Sequence, residues 1–425
     1  MLKTRYDKPT GIFSVLFDPA LPVQMKHHAA MSEFWARLEG NPDVEIQRTN
    51  GTIAGFSVPL DHWLDRFEEA LPTSVLAFQK TIHQKLNDPD WAEQPEALDV
   101  NFHQKPFDTP ERYWQFILNQ GHFIDYFFNR LSWYLGPKNA LIAPFPLHVD
   151  LEASSACNMR CPMCYNDQLQ EIGKMDFSLF QKAVDECAAN EVFSVRLSWR
   201  GETLSHPRIK DFIAYAAARI KNVSFLTNAF YLDEEISEFL VVRQVSYISV
   251  SFDGIGEIYE KIRHPAKFHD SYNRVKRLME IRNRSGSVLP QIRLCTIWPA
   301  IKDNPDAYSQ TMKDVCDYMV YNPYINFAGP MTLKDQFICQ YPWERIVVAY
   351  NGKTQCCTGW NATDIILGNL QQHSIFDMWH GERLNHVRQL HAAGKRMELQ
   401  SCSHCRHGTT GDPNIDIDAI LQRGF

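Results

Sequence analysis

No run of eighteen uncharged apolar residues occurs in the 425-residue sequence, which excludes a helix that spans a membrane. The opening, Met1-Leu2-Lys3-Thr4-Arg5-Tyr6-Asp7-Lys8-Pro9, lacks the apolar stretch of a secretory signal, so a cytoplasmic protein is expected. Positive charge is in deficit: 43 Lys and Arg stand against 50 Asp and Glu, for a formal net charge of −7. Without a basic excess, neither nucleic acid nor an anionic membrane is expected as a partner. Internal repeats and low-complexity tracts are missing too. The chain does have the makings of a core. Hydrophobic residues at 44% and charged residues at 22% exclude a disordered or fibrous protein, and the length suits two or three domains.

Cysteine is absent before Cys157 and frequent after it, eleven in all. That is too sparse for a secreted disulfide scaffold of this length. Cys157, Cys161 and Cys164 share one short segment, while Cys187, Cys295 and Cys316 stand alone. Cys339, Cys356, Cys357, Cys402 and Cys405 gather near the end. Tight clusters in a chain without a signal read first as metal sites.

Three regions separate by pattern. Residues 1–143 read as an α+β extension: an apolar run Ile12 to Phe17, a helix from Val23 to Leu38, and a hairpin around Asn50-Gly51. Helical stretches follow over Leu60 to Leu86 and Pro110 to Tyr134. The second is crowded with aromatics and reads as a packing face, with a ligand or peptide groove as the alternative. Residues 144–330 alternate strand and helix. Strands are expected at Leu147–Glu152, Ser194–Trp199, Ser224–Thr227, Tyr247–Phe252, Ile292–Ile297 and Tyr324–Phe327, with helices between, the last over Pro305–Met319. Six such units predict a parallel sheet, open or curled into a partial (β/α)6 barrel, with ligands at the carboxyl ends of its strands. Residues 331–425 hold a second Asn-Gly hairpin at Asn351-Gly352 and a helix near Ser374–Ala392.

The loop after the first of those strands holds Cys157-x3-Cys161-x2-Cys164. Three thiolates on a four-iron cluster leave one iron open to bind and reduce a small chelating ligand. A zinc knuckle would want a fourth Cys or His nearby, and none lies between Ala153 and Gly173. A thioredoxin-like Cys161-x2-Cys164 pair would leave Cys157 without a role.

These residues resemble the CxxxCxxC loop of the radical S-adenosylmethionine (radical SAM) superfamily. The resemblance covers about 147–405 and includes further motifs in the family's order. Trp199-Arg200-Gly201-Glu202-Thr203 is similar to its GGEP element with two substitutions, and Leu226-Thr227-Asn228 to its TNG stop. Ser249-Val250-Ser251-Phe252-Asp253-Gly254, followed by Tyr259 and Arg263, is similar to its SxDG…Y…iR segment. The resemblance implies an SAM site of Met163, Glu202, Thr227, Asn228, Ser251, Asp253 and Arg263. Glu202 would accept from the SAM amino group, and Arg263 would offer a fork to its carboxylate. Gly254-x-Gly256 is a weak dinucleotide signal, because Tyr259 fills the third glycine position and no such segment opens the first unit.

The last cysteines resemble the Twitch/SPASM auxiliary-cluster domains of the same superfamily. Cys339, Cys357, Cys402 and Cys405 would ligate one further four-iron cluster, with Cys356 on the opposite strand face. Two-cluster SPASM domains use seven cysteines, so the one-cluster Twitch form is expected; a structural zinc site is the alternative. Cys187 and Cys316 read as core. Cys295, near a carboxyl strand end, is either packing or a hydrogen-atom donor to a substrate radical.

Two 4Fe-4S clusters and SAM are thus the expected cofactors, with a flavodoxin- or ferredoxin-type protein as electron donor. The resemblance implies reduction of SAM to a 5′-deoxyadenosyl radical that takes a hydrogen atom from substrate. Oxidation or epimerisation of a small polar metabolite, such as an amino sugar or cyclitol, is the leading reading. A peptide-modifying maturase is the second, and a non-enzymatic iron–sulfur or zinc protein the third.

Overall fold

The computed structural model describes residues 2–90, 104–323, 337–359, 362–405 and Leu421. The chain opens on a four-stranded antiparallel sheet of β1 (Leu2–Asp7), β2 (Ile12–Pro22), β3 (Glu45–Thr49) and β4 (Thr52–Pro59), in the order β1-β2-β4-β3. Asn50 and Gly51 join β3 to β4 with φ of 48° and 75°, the left-handed pair that a two-residue hairpin requires. Three expected helices of this region are shorter. The helix expected over Val23–Leu38 is α-helical only over Ser32–Leu38, because His28 is extended between two 3-10 turns. Pro72 interrupts Leu60–Leu86 and leaves Thr73–Leu86 as its main helix; the residue before a proline avoids helical geometry, and Leu71 is extended. Gly121 and His122, at positive φ, split the aromatic stretch into Pro110–Leu118 and Phe123–Lys138.

A ten-stranded sheet forms the rest of the molecule. Its strands are β5 (Lys105–Pro106), β6 (His148–Leu151), β7 (Ser194–Arg196), β8 (Asn222–Thr227), β9 (Tyr247–Ser251), β10 (Gln291–Ile297), β11 (Tyr318–Asn322), β12 (Arg345–Val348), β13 (Lys353–Gln355) and β14 (Ile366–Asn369). They lie in the order β14-β13-β12-β6-β7-β8-β9-β10-β11-β5. β6 to β11 run parallel, one from each expected unit, and β14 and β5 remain as edges, so the barrel is partial.

The sixth unit corrects the sequence reading. Its helix stops at Met312 rather than Met319, Cys316 is extended, and the strand is Tyr318–Asn322, upstream of the expected Tyr324–Phe327. A short apolar run such as Tyr318-Met319-Val320-Tyr321 fits either period, and here pairing with β10 decides it. Residues 324–327 lie outside the described residues.

Both flanking regions join this sheet. β12, the first strand of the C-terminal hairpin, runs parallel to β6 with Arg345 opposite His148. β5, from the N-terminal region, pairs antiparallel with β11. The expected C-terminal helix is broken at Gly381 into Ile375–His380 and Glu382–Ala392. Successive residues of a strand face opposite sides, and here the sides differ sharply. Val149, Val195, Phe225, Val250 and Leu294 pack outward against the helices that follow the strands. His148, Ser194, Arg196, Asn222, Tyr247, Arg293 and Tyr318 line the concave side, across which the helices Pro110–Leu118 and Phe123–Lys138 contribute further lining.

Candidate active site

The cysteine loop leaves the carboxyl end of β6 and is pinned by backbone contacts: the Ser155 N–H donates to the Gly173 carbonyl (3.0 Å) and the Arg160 N–H to that of His264 (2.9 Å). Cys157, Cys161 and Cys164 are free thiols, the last of them exposed. The N–H of Met159 donates to Cys157 Sγ at 3.5 Å, and Asn228 Nδ2 approaches the same sulfur at 3.9 Å. Arg263 Nη1 lies 3.7 Å from Cys161 Sγ. Burial pushes the Cys161 thiol up to about 12, and the Arg263 guanidinium opposes that shift. A cation beside a buried thiol favours the thiolate a metal requires. Met163 is half-buried against the core.

Glu202 is 2% exposed, and protein donors surround its carboxylate. Thr227 Oγ1 (2.8 Å) and the Leu204 N–H (3.0 Å) donate to Oε1, and the Asn228 N–H donates to Oε2 at 2.7 Å. Two motifs that lie apart in sequence therefore meet at one carboxylate. Burial raises its pKa; these hydrogen bonds oppose the rise.

The two departures from GGEP have partners. Arg200, in place of the first glycine, forks onto Glu152 with Nε–Oε1 and Nη2–Oε2 both at 2.7 Å. Glu152 is fully buried and also accepts the N–H of Tyr350 at 3.1 Å. Thr203, in place of proline, donates to the Leu197 carbonyl at 2.8 Å. The retained Gly201 has φ +66°, and a Cβ there would sit 2.4 Å from the carbonyl carbon of Ser155. Only glycine lets this turn lie against the root of the cysteine loop.

Asp253 is 1% exposed and accepts the Ile297 N–H at 2.9 Å, tying the end of β9 to that of β10. Its other oxygen pairs with Arg263. Arg263 thus reaches the cysteine loop from an anchored base, with one edge committed to Asp253. Ser251, half-buried, is in register with Cys295 on β10. Cys295 faces the concave side and is 8% exposed. Gln104 Nε2 (3.2 Å) and Asn322 Nδ2 (3.3 Å) both donate to its sulfur, and burial pushes the thiol up to about 11.

The C-terminal cysteines converge. Cys339, Cys357, Cys402 and Cys405 lie close enough that Cys339 is shifted upward first by burial and then by each of the other three. The Gly359 N–H donates to Cys357 Sγ at 3.3 Å. His391 accepts the Cys339 N–H through Nδ1 and lies 3.5 Å from Cys402 Sγ through Nε2. Cys356, 1% exposed, lines the same cavity and is shifted upward by burial and by Cys357 and Cys402. Among the described residues, no three His, Cys, Asp or Glu side chains draw in tightly enough to hold a single ion. Four free thiols brought together without that tight shell fit a cluster, whose ligands spread over several metals.

A cavity of about 1280 Å³ runs from the concave face of the sheet to these four cysteines. Sequence reasoning missed it, along with the Arg200–Glu152 pair. Its walls come from all three regions: Arg130 and Trp133 from the N-terminal region, Tyr247 and Arg293 from the barrel, Arg345 and Cys357 from the C-terminal one. No local motif signals such convergence. No described helix is long and apolar enough to cross a membrane.

Residues 151–292 match the family model of the radical SAM superfamily, and 339–406 match that of SPASM, an iron–sulfur cluster-binding domain. The chain is 28% identical over 123 residues to the antilisterial bacteriocin subtilosin biosynthesis protein AlbA of Bacillus subtilis (strain 168), covering 28% of this chain and 27% of AlbA. It is 26% identical over 149 residues to the sporulation killing factor maturation protein SkfB of the same organism, covering 34% and 35%. The match thus spans about a third or less of the length of either curated relative. The solved structure of BtrN in complex with AdoMet and 2-DOIA aligns over 61% of this chain and 91% of that chain, at 18% identity and a TM-score of 0.43. The strand order itself carries the fold.

Proposed function

The chain belongs to the radical SAM superfamily and carries a SPASM iron–sulfur domain, and we propose that it oxidises a small polar metabolite held in the concave cavity. A SAM-binding 4Fe-4S cluster and auxiliary iron–sulfur chemistry are its cofactors; when bound, they supply reductive cleavage of SAM, a 5′-deoxyadenosyl radical and an acceptor for a second electron. The three loop cysteines hold the first cluster in this reading, and Arg263 keeps positive charge beside Cys161. Glu202, fixed by Thr227 and Asn228, presents an oriented acceptor for an ammonium group. Ser251 and Asp253 sit at the same strand end. Cys339, Cys357, Cys402 and Cys405 hold a single auxiliary cluster. The chain's part in the chemistry is to align substrate with SAM and keep water from the radical. A flavodoxin- or ferredoxin-type donor supplies the electron.

The observation that carries oxidation is that one cavity joins the barrel's inner face to the auxiliary cysteines. A substrate there lies between the SAM end and an electron acceptor. Cys295 supports the same reading, because Gln104 and Asn322 line the cavity and engage its sulfur, which is packed behind them. At about 1280 Å³ the cavity exceeds the roughly 300–1,000 Å³ usual for a small-molecule pocket, and its volume also admits a peptide segment. Peptide modification is the second reading, favoured by the names of AlbA and SkfB.

The test is to supply the reconstituted enzyme with the low-mass ultrafiltrate of a cell extract or with its peptide fraction, and to follow 5′-deoxyadenosine. Stimulation by the ultrafiltrate, with a product lighter than substrate by two hydrogens, is expected. Stimulation by peptides alone, or a product of unchanged connectivity that carries one deuterium on carbon when formed in deuterated water, would contradict it. In the latter case Cys295 becomes the hydrogen-atom donor, and Cys295→Ala loses the product while still cleaving SAM.

A further inference from the structure

The cavity's charge is uneven. Five guanidiniums line it: Arg130, Arg196, Arg293, Arg345 and, beside the C-terminal cysteines, Arg396, which donates to the Cys402 carbonyl at 2.9 Å. Two are neutralised at their base. Asp150, fully buried, pairs with Arg196 at 2.7 Å and with Arg345 at 3.2 Å. Glu344 lies 3.8 Å from Arg345, and burial pushes its carboxyl up to about 7. His148 also contacts Asp150 and is held neutral, since burial lowers it to about 4.

Arg130 and Arg293 have no carboxylate as a hydrogen-bond partner among the described residues, and the carboxylate that acts on Arg130 is Glu344, already beside Arg345. Arg293 donates through Nε and Nη2 to the Ser249 hydroxyl, both at 3.2 Å. Arg130 donates through Nε to Asn129 Oδ1 at 3.1 Å and lies 4.0 Å over the Trp133 ring. Both act on the same phenol. Burial raises the Tyr247 pKa, but Arg293, the nearby Ser224 hydroxyl, Arg196 and Arg130 together bring it below its ordinary value. Outnumbering the carboxylates in a walled cavity is costly for the cations unless an anion completes the set. Arg130 sits on the cavity-facing side of its helix, with Tyr126, Trp133 and Tyr134 at helical spacing, so aromatic rings flank the charge.

We infer that Arg130 and Arg293, with the Tyr247 ring 5.1 Å beneath the Arg293 guanidinium, form the binding site for an anionic group, a carboxylate or phosphate, on the substrate. Tyr247 opens β9 and Ser251 ends it, a separation of roughly 13 Å along the strand. The anionic end is thus held deep in the cavity while the reacting carbon lies at the carboxyl end of the sheet. This rests on the reading of the cavity as the substrate site.

The test uses wild-type holoenzyme saturated with SAM, so that the SAM carboxylate occupies its own site. Phenyl phosphate, phenylacetate and neutral 2-phenylethanol are titrated by calorimetry. At least one anionic probe is expected to bind about tenfold or more tightly than 2-phenylethanol, and the tighter of the two tells phosphate from carboxylate. Arg293→Gln and Arg130→Gln should each weaken that probe about tenfold and leave the neutral one unchanged, and Arg293→Lys should recover part of the loss. Equal binding of all three probes by the wild type overturns the inference, whether or not the variants fold. So does undiminished anion binding in both Gln variants with native circular dichroism. Reductive SAM cleavage by the same wild-type preparation is measured alongside. Its absence would count against the enzymatic reading and leave the anion site judged on binding alone.

Discussion

Single residues divide here into those whose neighbours could be foreseen and those whose partners arrive from elsewhere. Cys356 and Cys357 are expected to face opposite ways, and Cys357 is the one proposed to join Cys339, Cys402 and Cys405. Single Cys→Ala changes at those four positions should each remove about four irons of about eight, while Cys356→Ala keeps them; iron analysis checks this, and loss only in the Cys356 variant would reverse it. His148 gives a pH prediction. Held between Ser194 Oγ (2.8 Å) and Asp150 (3.1 Å), it is lowered by burial from 6.5 to about 4. Unfolded chain therefore binds the extra proton first, so its contribution to stability is whole above about pH 6.5 and falls as pH drops toward 4. Urea unfolding should show a loss of roughly 2 kcal/mol from this group between pH 7 and pH 5. His148→Gln should lose that much less over the same interval, and identical pH profiles would show that His148 does not titrate this way.

At the scale of elements, the turn Arg200-Gly201-Glu202 joins the cysteine loop to the acceptor carboxylate. Gly201→Ala must move the turn away from Ser155 or force an alanine to positive φ, at a cost of roughly 2 kcal/mol or more. SAM cleavage should fall at least tenfold, with KM for SAM raised; activity at the wild-type level would mean the loop tolerates displacement. The cysteine spacing, the strand ends at Thr227 and Asp253, and five of six barrel strands were legible because each is written in a short contiguous segment. The sixth strand was not, because its apolar run fits two periods. The aromatic helix was half legible. Phe123, Phe127 and Phe128 build the N-terminal core as a packing face must, while Tyr126, Arg130 and Trp133 turn toward the cavity. The packing reading holds for one face of Phe123–Lys138, and the other face lines the cavity.

Across the whole molecule, one sheet takes strands from all three sequence regions, and one cavity takes walls from all three. The Arg200–Glu152 pair and the Arg130, Tyr247 and Arg293 group could not be read from the sequence, because only topology brings them together. The same topology sets Thr227 and the segment leading to Asp253 at strand ends of this sheet, and the cavity along the sheet reaches Cys339, Cys357, Cys402 and Cys405. The central claim is that Cys157, Cys161 and Cys164 hold the cluster that reduces SAM. Its most direct test is anaerobic incubation of reconstituted wild-type and Cys157→Ala/Cys161→Ala/Cys164→Ala proteins with SAM and a low-potential reductant. The wild type should hold about eight irons and form 5′-deoxyadenosine with equal methionine; the triple variant should keep about four irons and form none. Wild-type turnover in the triple variant, or zinc in place of iron at the C-terminal cysteines, would contradict the account.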